Sequence, residues 1–72
     1  MAREAIIREV SRYELHGVAY FRLIVSYDKE PSSVQEVRIC HDSIYEEPAD
    51  GDRIFVDAIM NVVTEVRKQP SE

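Results

Sequence analysis

The stretch GDRIFVDAIMNVVTEVRK, residues 51–68, decides the fold of this chain because it contains the densest run of apolar side chains. As a helix, it would carry an apolar stripe with a period of 3.6 residues along one side. The stripe consists of Phe55, Ala58, Ile59, Val62, Val63 and Val66. Pro70 lies just past the end of such a helix. This interpretation predicts an α+β domain, in which an antiparallel sheet packs against a C-terminal helix over residues 52–68.

The same stretch also predicts two antiparallel strands that reverse near Met60-Asn61, because asparagine adopts positive φ more readily than most residues. β-branched side chains disfavour a helix and favour a sheet, and the stretch is rich in them. They are Ile54, Val56, Ile59, Val62, Val63, Thr64 and Val66. The Gly51-Asp52 pair ahead of them ends a turn cluster of the kind that precedes a strand. We therefore predict a final strand pair rather than a helix.

Residues 18–28 form the clearest predicted strand, since aromatic and β-branched residues alternate there between two faces. A polar loop follows, in which Pro31 interrupts any strand ladder. Residues 34–41 are the next predicted strand, with Val37 and Ile39 on its inner face. We expect these two strands to form an antiparallel hairpin.

Residues 3–16 are open to two interpretations. Ile7 and Val10 belong to a short stripe with helical spacing, and the alternation expected of a strand is imperfect. The His16-Gly17 pair stands where a hairpin into the following strand would turn. This position of the turn favours a strand.

Residues 42–47 predict a short helical turn that connects the third strand to the Gly-Asp turn. In chain order, the predicted elements are a long hairpin, a third strand, this helical turn and a final strand pair. That order and spacing resembles the small five-stranded barrels of SH3-like and OB-like type. The expected fold is therefore mostly β, a small five-stranded antiparallel barrel with a short helical turn before the fourth strand.

The composition indicates a single small globular domain over residues 1–72, in which 69–72 are expected to be a frayed tail. The apolar fraction of 44% is that of a folded protein. A net charge of −5 makes nucleic acid an unlikely partner and disfavours anionic membranes. The chain has neither an apolar run of membrane-spanning length nor the apolar segment of a signal peptide, so we expect a cytoplasmic protein.

The sequence contains no recognisable catalytic or metal-binding pattern. Cys40 is the only cysteine, so neither an internal disulfide nor a multi-cysteine zinc site is expected. Cys40, His41 and Asp42 form the only cluster of reactive residue types, but neighbouring strand residues point to opposite faces. With two glycines in the chain, a phosphate-binding loop is excluded in practice. We therefore expect neither an enzyme nor a bound cofactor.

Aromatic and arginine side chains near the first hairpin define a candidate interaction surface. Its residues are Tyr13, Tyr20, Arg22 and Arg12. Such residues form stacking platforms for single-stranded nucleic acid on OB-like folds, and they suit protein interfaces equally well. Ordinary cross-strand packing explains them too. Because the chain is acidic, a protein interface is favoured over nucleic acid.

Acidic side chains cluster around the predicted helical turn and the Gly-Asp turn. This candidate acidic patch comprises Asp42, Glu46, Glu47, Asp50 and Asp52. The residue pattern of a calcium-binding loop is absent, so a metal site is not expected. The patch fits a solvated surface that keeps a small domain soluble, or a surface that attracts a basic protein.

Together these features predict a small non-enzymatic interaction module that binds a protein partner or a second copy of itself. Two alternatives remain open. The first is a small barrel that binds single-stranded nucleic acid, and the second is an acidic inhibitor that occupies a basic groove of another protein.

Overall fold

A computed structural model describes residues 2–70, which form five strands and one short 3₁₀ turn. The elements are β1 (Ala2–Leu15), β2 (Val18–Tyr27), β3 (Gln35–Cys40), the 3₁₀ turn (His41–Ser43), β4 (Arg53–Ile59) and β5 (Val62–Lys68). The fold is therefore mostly β, with five strands and a helical turn before the fourth, as the sequence predicts. The alternative helix over 52–68 is wrong, because those residues form two strands.

The strands form one antiparallel sheet in the order β3-β2-β1-β4-β5. β1 lies at its centre and pairs with β2 along almost its whole length. Only the first residues of β1 also pair with β4, from Ala2 opposite Asp57 to Ile6 opposite Arg53. The predicted strand at residues 3–16 is therefore confirmed, and this strand joins the two hairpins.

The sheet does not close into a barrel within residues 2–70, since β3 and β5 remain its two edges. The edges approach each other at one end, where Ile44 forms an isolated parallel bridge with Val66 of β5. Ile44 and Tyr45 also pack against the core there. An open sheet with its edges linked at one end thus replaces the predicted closed barrel.

Both tight hairpins turn through two residues with positive φ. His16 and Gly17 connect β1 to β2 with φ of 53° and 78°. Met60 and Asn61 connect β4 to β5 with φ of 50° and 68°. Positive φ at both central positions defines a type I′ turn, whose twist matches that of the strands. The predicted turn positions are therefore confirmed.

A β-bulge in β1 explains why its alternation is imperfect in the sequence. Ile7 pairs with Val25 and Glu9 pairs with Ile24, so Arg8 is one extra residue on β1. Before the bulge, the inward-facing positions of β1 are odd-numbered, as the burial of Ala5 and Ile7 indicates. After it, the inward-facing positions are even-numbered, as the packing of Val10 against the core indicates.

The hydrophobic core lies on the inner face of the curved sheet and draws on all five strands. Its buried residues are Ala5, Ile7, Leu23, Val25, Tyr27, Val37, Ile39, Ile54, Val56 and Val66. The predicted inner face of β3, with Val37 and Ile39, is therefore confirmed. Gln69 of the predicted tail bonds to β4 through its backbone N–H (2.9 Å to the Arg53 carbonyl) and its side chain. Ser71 and Glu72 lie outside the described residues.

Candidate interaction surface

The first hairpin places Tyr13 directly opposite Tyr20 on the outer face of the sheet. The two-residue turn at His16-Gly17 determines this register, because it makes Leu15 and Val18 the first pair. The two tyrosine rings stack with centroids 5.6 Å apart and planes 17° from parallel. Both side chains are half-buried. The sequence prediction that these tyrosines lie together therefore holds in the structure.

Arg22 lies two residues after Tyr20 on the same face of β2, and its cross-strand partner on β3 is Arg38. Like charges in this position repel each other, and Glu36 relieves the repulsion by accepting a hydrogen bond from each guanidinium. The Nε atom of Arg22 donates to one oxygen of Glu36, and that of Arg38 donates to the other at 3.1 Å. The hydrogen bond from Arg22 holds the pKa of the Glu36 carboxyl below its usual value. We call Tyr13, Tyr20, Arg22, Glu36 and Arg38 the tyrosine face.

Cys40 borders the tyrosine face on the edge strand, opposite Tyr20. Its thiol is free and half-buried. His41 follows in the 3₁₀ turn, so the two residues do not share a strand face. Within residues 2–70, no three side chains of the His, Cys, Asp or Glu type converge to hold a metal ion.

Arg12 lies on the other side of the sheet from the two tyrosines. It pairs with Phe21, and residues adjacent along a strand point to opposite faces. There it lines a shallow cleft of about 350 Å³. This cleft, which we call the Arg12 cleft, is lined by Arg12, Glu14, Ala19, Phe21 and His41, together with Gly17 and Val18 at the turn. The structure thus brings three of the four predicted surface residues together and separates Arg12 from them.

The structure also separates the residues of the predicted acidic patch, because Asp52 differs from the other four. Asp52 turns inward, where its Oδ2 accepts hydrogen bonds from the Tyr45 hydroxyl (2.7 Å) and the Ala49 N–H (3.1 Å). Burial, with the neighbouring Asp52 carboxylate, raises the pKa of the Tyr45 hydroxyl above its usual value. The other four residues of the patch are exposed, namely Asp42, Glu46, Glu47 and Asp50. Asp52 therefore stabilises the loop through these hydrogen bonds and does not add to the exposed acidic surface.

A third surface, at the β4–β5 turn, was not predicted from the sequence. Ile59, Met60 and Val62 are exposed to 66%, 91% and 65% of their full area. We call these three residues the apolar tip. One sequence signal points to it, because residues 58–64 contain no charge around a turn that favours Asn-Gly. The β-strand pattern of the same residues conceals this signal, since apolar strand residues are normally assigned to the core.

No protein-family model, curated protein or solved structure matches this chain. Within residues 2–70, no helix is long and apolar enough to cross a membrane. The function therefore has to be inferred from the surfaces described above.

Proposed function

We propose that this chain is a small non-enzymatic interaction module that binds a protein partner through the tyrosine face. The observation that carries the proposal is the stacked, half-exposed pair of Tyr13 and Tyr20. Tyrosine and arginine are the residue types that contribute most to binding energy at protein interfaces. Here both types occur on one exposed face of a rigid hairpin.

The stacking itself favours binding. Each ring already packs against the other, so little side-chain entropy is lost when a partner covers them. Large aromatic side chains also bury much area with few rotatable bonds. The two tyrosine side chains are therefore already ordered in the absence of a partner, as an anchor at a protein interface should be.

The charge of the tyrosine face supports a protein partner over nucleic acid. Arg22 and Arg38 share one carboxylate, that of Glu36, and together the three leave a single net positive charge. Binding to a nucleic-acid backbone requires several cationic side chains that no carboxylate neutralises, and the whole chain has a net charge of −5. A mixed set of hydrogen-bonded charges is typical of protein interfaces.

Single-stranded nucleic acid is the second candidate, and the topology of the sheet favours it. β1 pairs with both β2 and β4, and the chain just after β3 contacts β5. This connectivity supports an OB-like fold, a partly open five-stranded barrel whose β2–β3 face binds oligonucleotides. The tyrosine face occupies that same region. An acidic inhibitor has less support, because Asp52 is engaged inside the loop.

Site-specific photo-crosslinking tests the proposal. A photoreactive amino acid at Ser11, which is exposed beside Arg22, reports on what covers the tyrosine face. We expect one protein to be captured from cells that express the chain, and Tyr20→Ala to abolish the capture. Arg12→Ala is the matched control, because this exposed residue lies on the other side of the same hairpin. Capture that persists in Tyr20→Ala would contradict the proposal.

Fluorescence anisotropy with a labelled oligothymidine tests whether the protein binds single-stranded nucleic acid. We expect no change at low salt, where phosphate contacts are strongest. A salt-sensitive increase that Tyr20→Ala removes would instead establish nucleic acid as the ligand, because base stacking on that ring would be lost. If neither a captured protein nor an anisotropy change depends on Tyr20, the tyrosine face has no binding function.

A further inference from the structure

The two edge strands of the sheet contain the same three-residue sequence, Glu-Val-Arg. It occupies residues 36–38 of β3 and residues 65–67 of β5. In both strands the central valine is buried in the core, and the charged residues on either side of it are exposed. Each segment therefore places a carboxylate and a guanidinium two positions apart on the outer face. A segment of this kind is complementary in charge to a second copy that runs antiparallel to it.

The segment in β5 is already flanked on both sides at its centre. Val66 pairs with β4 on one side, and Ile44 forms the isolated parallel bridge to it on the other. The charges beside Val66 are also engaged within the chain. The Nε atom of Arg67 lies 3.1 Å from the Asp57 carboxylate and 3.8 Å from that of Glu65. A further strand therefore has no open backbone edge around Val66.

The segment in β3 has an open side, which we call the β3 edge. Within residues 2–70, β3 pairs only with β2, and the bridge to β5 involves Ile44, which lies after the 3₁₀ turn. The two ends of the described range belong to the β4 side of the sheet, since Ala2 pairs with Asp57 and the Gln69 N–H donates to the Arg53 carbonyl. Backbone N–H and C=O groups along such an edge are available to a further strand.

The charges of the β3 edge favour one register of pairing between two copies. When two β3 strands run antiparallel with Val37 opposite Val37, Glu36 of each copy lies opposite Arg38 of the other. A shift by two residues places Glu36 opposite Glu36 or Arg38 opposite Arg38, and these like charges repel. A shift by one residue turns the core face of one copy toward solvent. Charged residues protect an edge strand when like charges meet, whereas here the central register joins opposite charges.

We propose that two copies of this chain form a symmetric dimer by antiparallel pairing of their β3 edges, centred on Val37. Two pairs of Glu36 with Arg38, one on each side of the two-fold axis, join the copies on the outer face. In the same register Val34, an exposed apolar residue just before β3, lies opposite Cys40 of the other copy. Each copy uses its one open edge, so the assembly closes at the dimer.

The dimer goes beyond the proposed partner binding and does not rest on it. Tyr13 and Tyr20 belong to β1 and β2, so pairing along β3 leaves both rings accessible. The two-fold axis is perpendicular to the joined sheet, and the tyrosine pairs of both copies therefore lie on the same side of it. Tyr20→Ala, which is expected to abolish capture of a partner, should leave the dimer intact. Partner binding and dimer formation can thus succeed or fail separately.

Sedimentation equilibrium from about 10 μM to about 1 mM measures the dimer directly, since a single short strand pair buries little area and binds weakly. We expect the average mass of the wild type to rise to that of a dimer and no further. Arg38→Glu and Glu36→Arg should each weaken the dimer at least about 10-fold, because like charges then meet at every pair. Arg12→Glu is the matched control for Arg38→Glu, because this exposed residue of β1 undergoes the same change of charge away from the β3 edge. Circular dichroism verifies that each variant is folded.

An equimolar mixture of Arg38→Glu and Glu36→Arg tests the register. The first variant carries two glutamates on the β3 edge and the second carries two arginines, so every pair between them joins opposite charges. We expect a one-to-one heterodimer at least as tight as the wild-type dimer. A wild type that stays monomeric throughout, single variants that dimerise as the wild type does, or a mixture that stays monomeric would each overturn the proposal.

Amide hydrogen exchange at the two ends of the same concentration range tests whether the backbones pair. Amides on the open side of residues 35–39 should exchange more slowly at about 1 mM than at about 10 μM, because the second copy covers them. Amides of residues 65–67 in β5 should exchange equally at both concentrations. Slower exchange confined to β5 or to the apolar tip would place the contact elsewhere and overturn the proposal.

Discussion

Met60 and Asn61 form the β4–β5 turn, and the positive φ of Met60 is unfavourable for a methionine side chain. Positive φ at both positions favours Asn-Gly, and methionine at the first of them has φ of 50°. We expect Met60→Asn to raise the free energy of unfolding by about 0.5–1 kcal/mol, because asparagine tolerates the left-handed region better. Urea unfolding monitored by circular dichroism measures this change.

The control for this prediction is Ile59→Asn. Ile59 is also exposed, but it is a strand residue whose φ is not positive. Asparagine there brings no relief of backbone strain, so no gain in stability is expected. Equal stabilisation by both substitutions would mean that reduced apolar exposure, rather than turn geometry, is the cause.

The Tyr45–Asp52 hydrogen bond is the main side-chain link between the loop after the 3₁₀ turn and the start of β4. Tyr45→Phe keeps the ring and removes the hydroxyl, leaving Asp52 with the Ala49 N–H. We expect a loss of about 1–2 kcal/mol in the free energy of unfolding at pH 7. Asp52→Asn is the companion variant, since its side-chain oxygen still accepts from Tyr45 without a charge.

Tyr45 also predicts how stability changes at alkaline pH. Its folded-state pKa is raised above the unfolded value near 10, so folding favours the protonated hydroxyl. This contribution is fully present below about pH 10 and is lost as the pH rises toward the folded-state pKa. The free energy of unfolding should therefore fall less steeply above pH 10 in Tyr45→Phe than in the wild type. Parallel curves for the two proteins would show that this hydroxyl is not linked to folding.

At the scale of the element, β1 depends on a single extra residue. Arg8 changes which residues face the core, from odd-numbered positions before the bulge to even-numbered ones after it. Deleting Arg8 would turn either Ile7 or Val10 away from the core. We expect the deletion to cost at least about 2 kcal/mol, since one buried aliphatic side chain contributes about that much. Urea unfolding measures the loss.

The control for the deletion is Arg8→Ala, which keeps the length of the strand. Arg8 is exposed, so this substitution should change the free energy of unfolding by no more than about 0.5 kcal/mol. If the deletion lowered the free energy of unfolding no more than Arg8→Ala does, β1 would have shifted its pairing so that it needs no bulge. The pairing of Tyr13 with Tyr20 would still follow from the hairpin turn.

At the scale of the whole molecule, stability should be greatest where β1 is enclosed on both sides. Ala5 and Ile6 pair with both β2 and β4, and Ile7, Leu23 and Ile54 are fully buried around them. We expect native-state hydrogen exchange to be slowest for amides of this region. It should be fastest in residues 28–34 and 58–62, which lie in the β2–β3 loop and at the end of the β4–β5 hairpin. Protection of residues 58–62 equal to that of the region around Ile7 would contradict this prediction.

The tyrosine face was largely predictable because local features determine it. The His16-Gly17 turn implies the pairing of Tyr13 with Tyr20, and strand alternation adds Arg22 to the same side. Alternation also implies that Arg12 faces away, so its inclusion in the predicted surface was inconsistent with a regular strand. Glu36 and Arg38 join the surface through the β2–β3 register, which the sequence alone leaves undetermined.

What the sequence by itself determined are the properties that depend on neighbouring residues. These include the strands, their apolar faces and the two turns at His16-Gly17 and Met60-Asn61, because alternation and φ preference act within a few positions. The tertiary structure alone decided that β1 lies between β2 and β4, that Asp52 turns inward, and that the apolar tip is exposed. Those features depend on which distant segments meet, and that outcome follows from the packing of the whole sheet around one core.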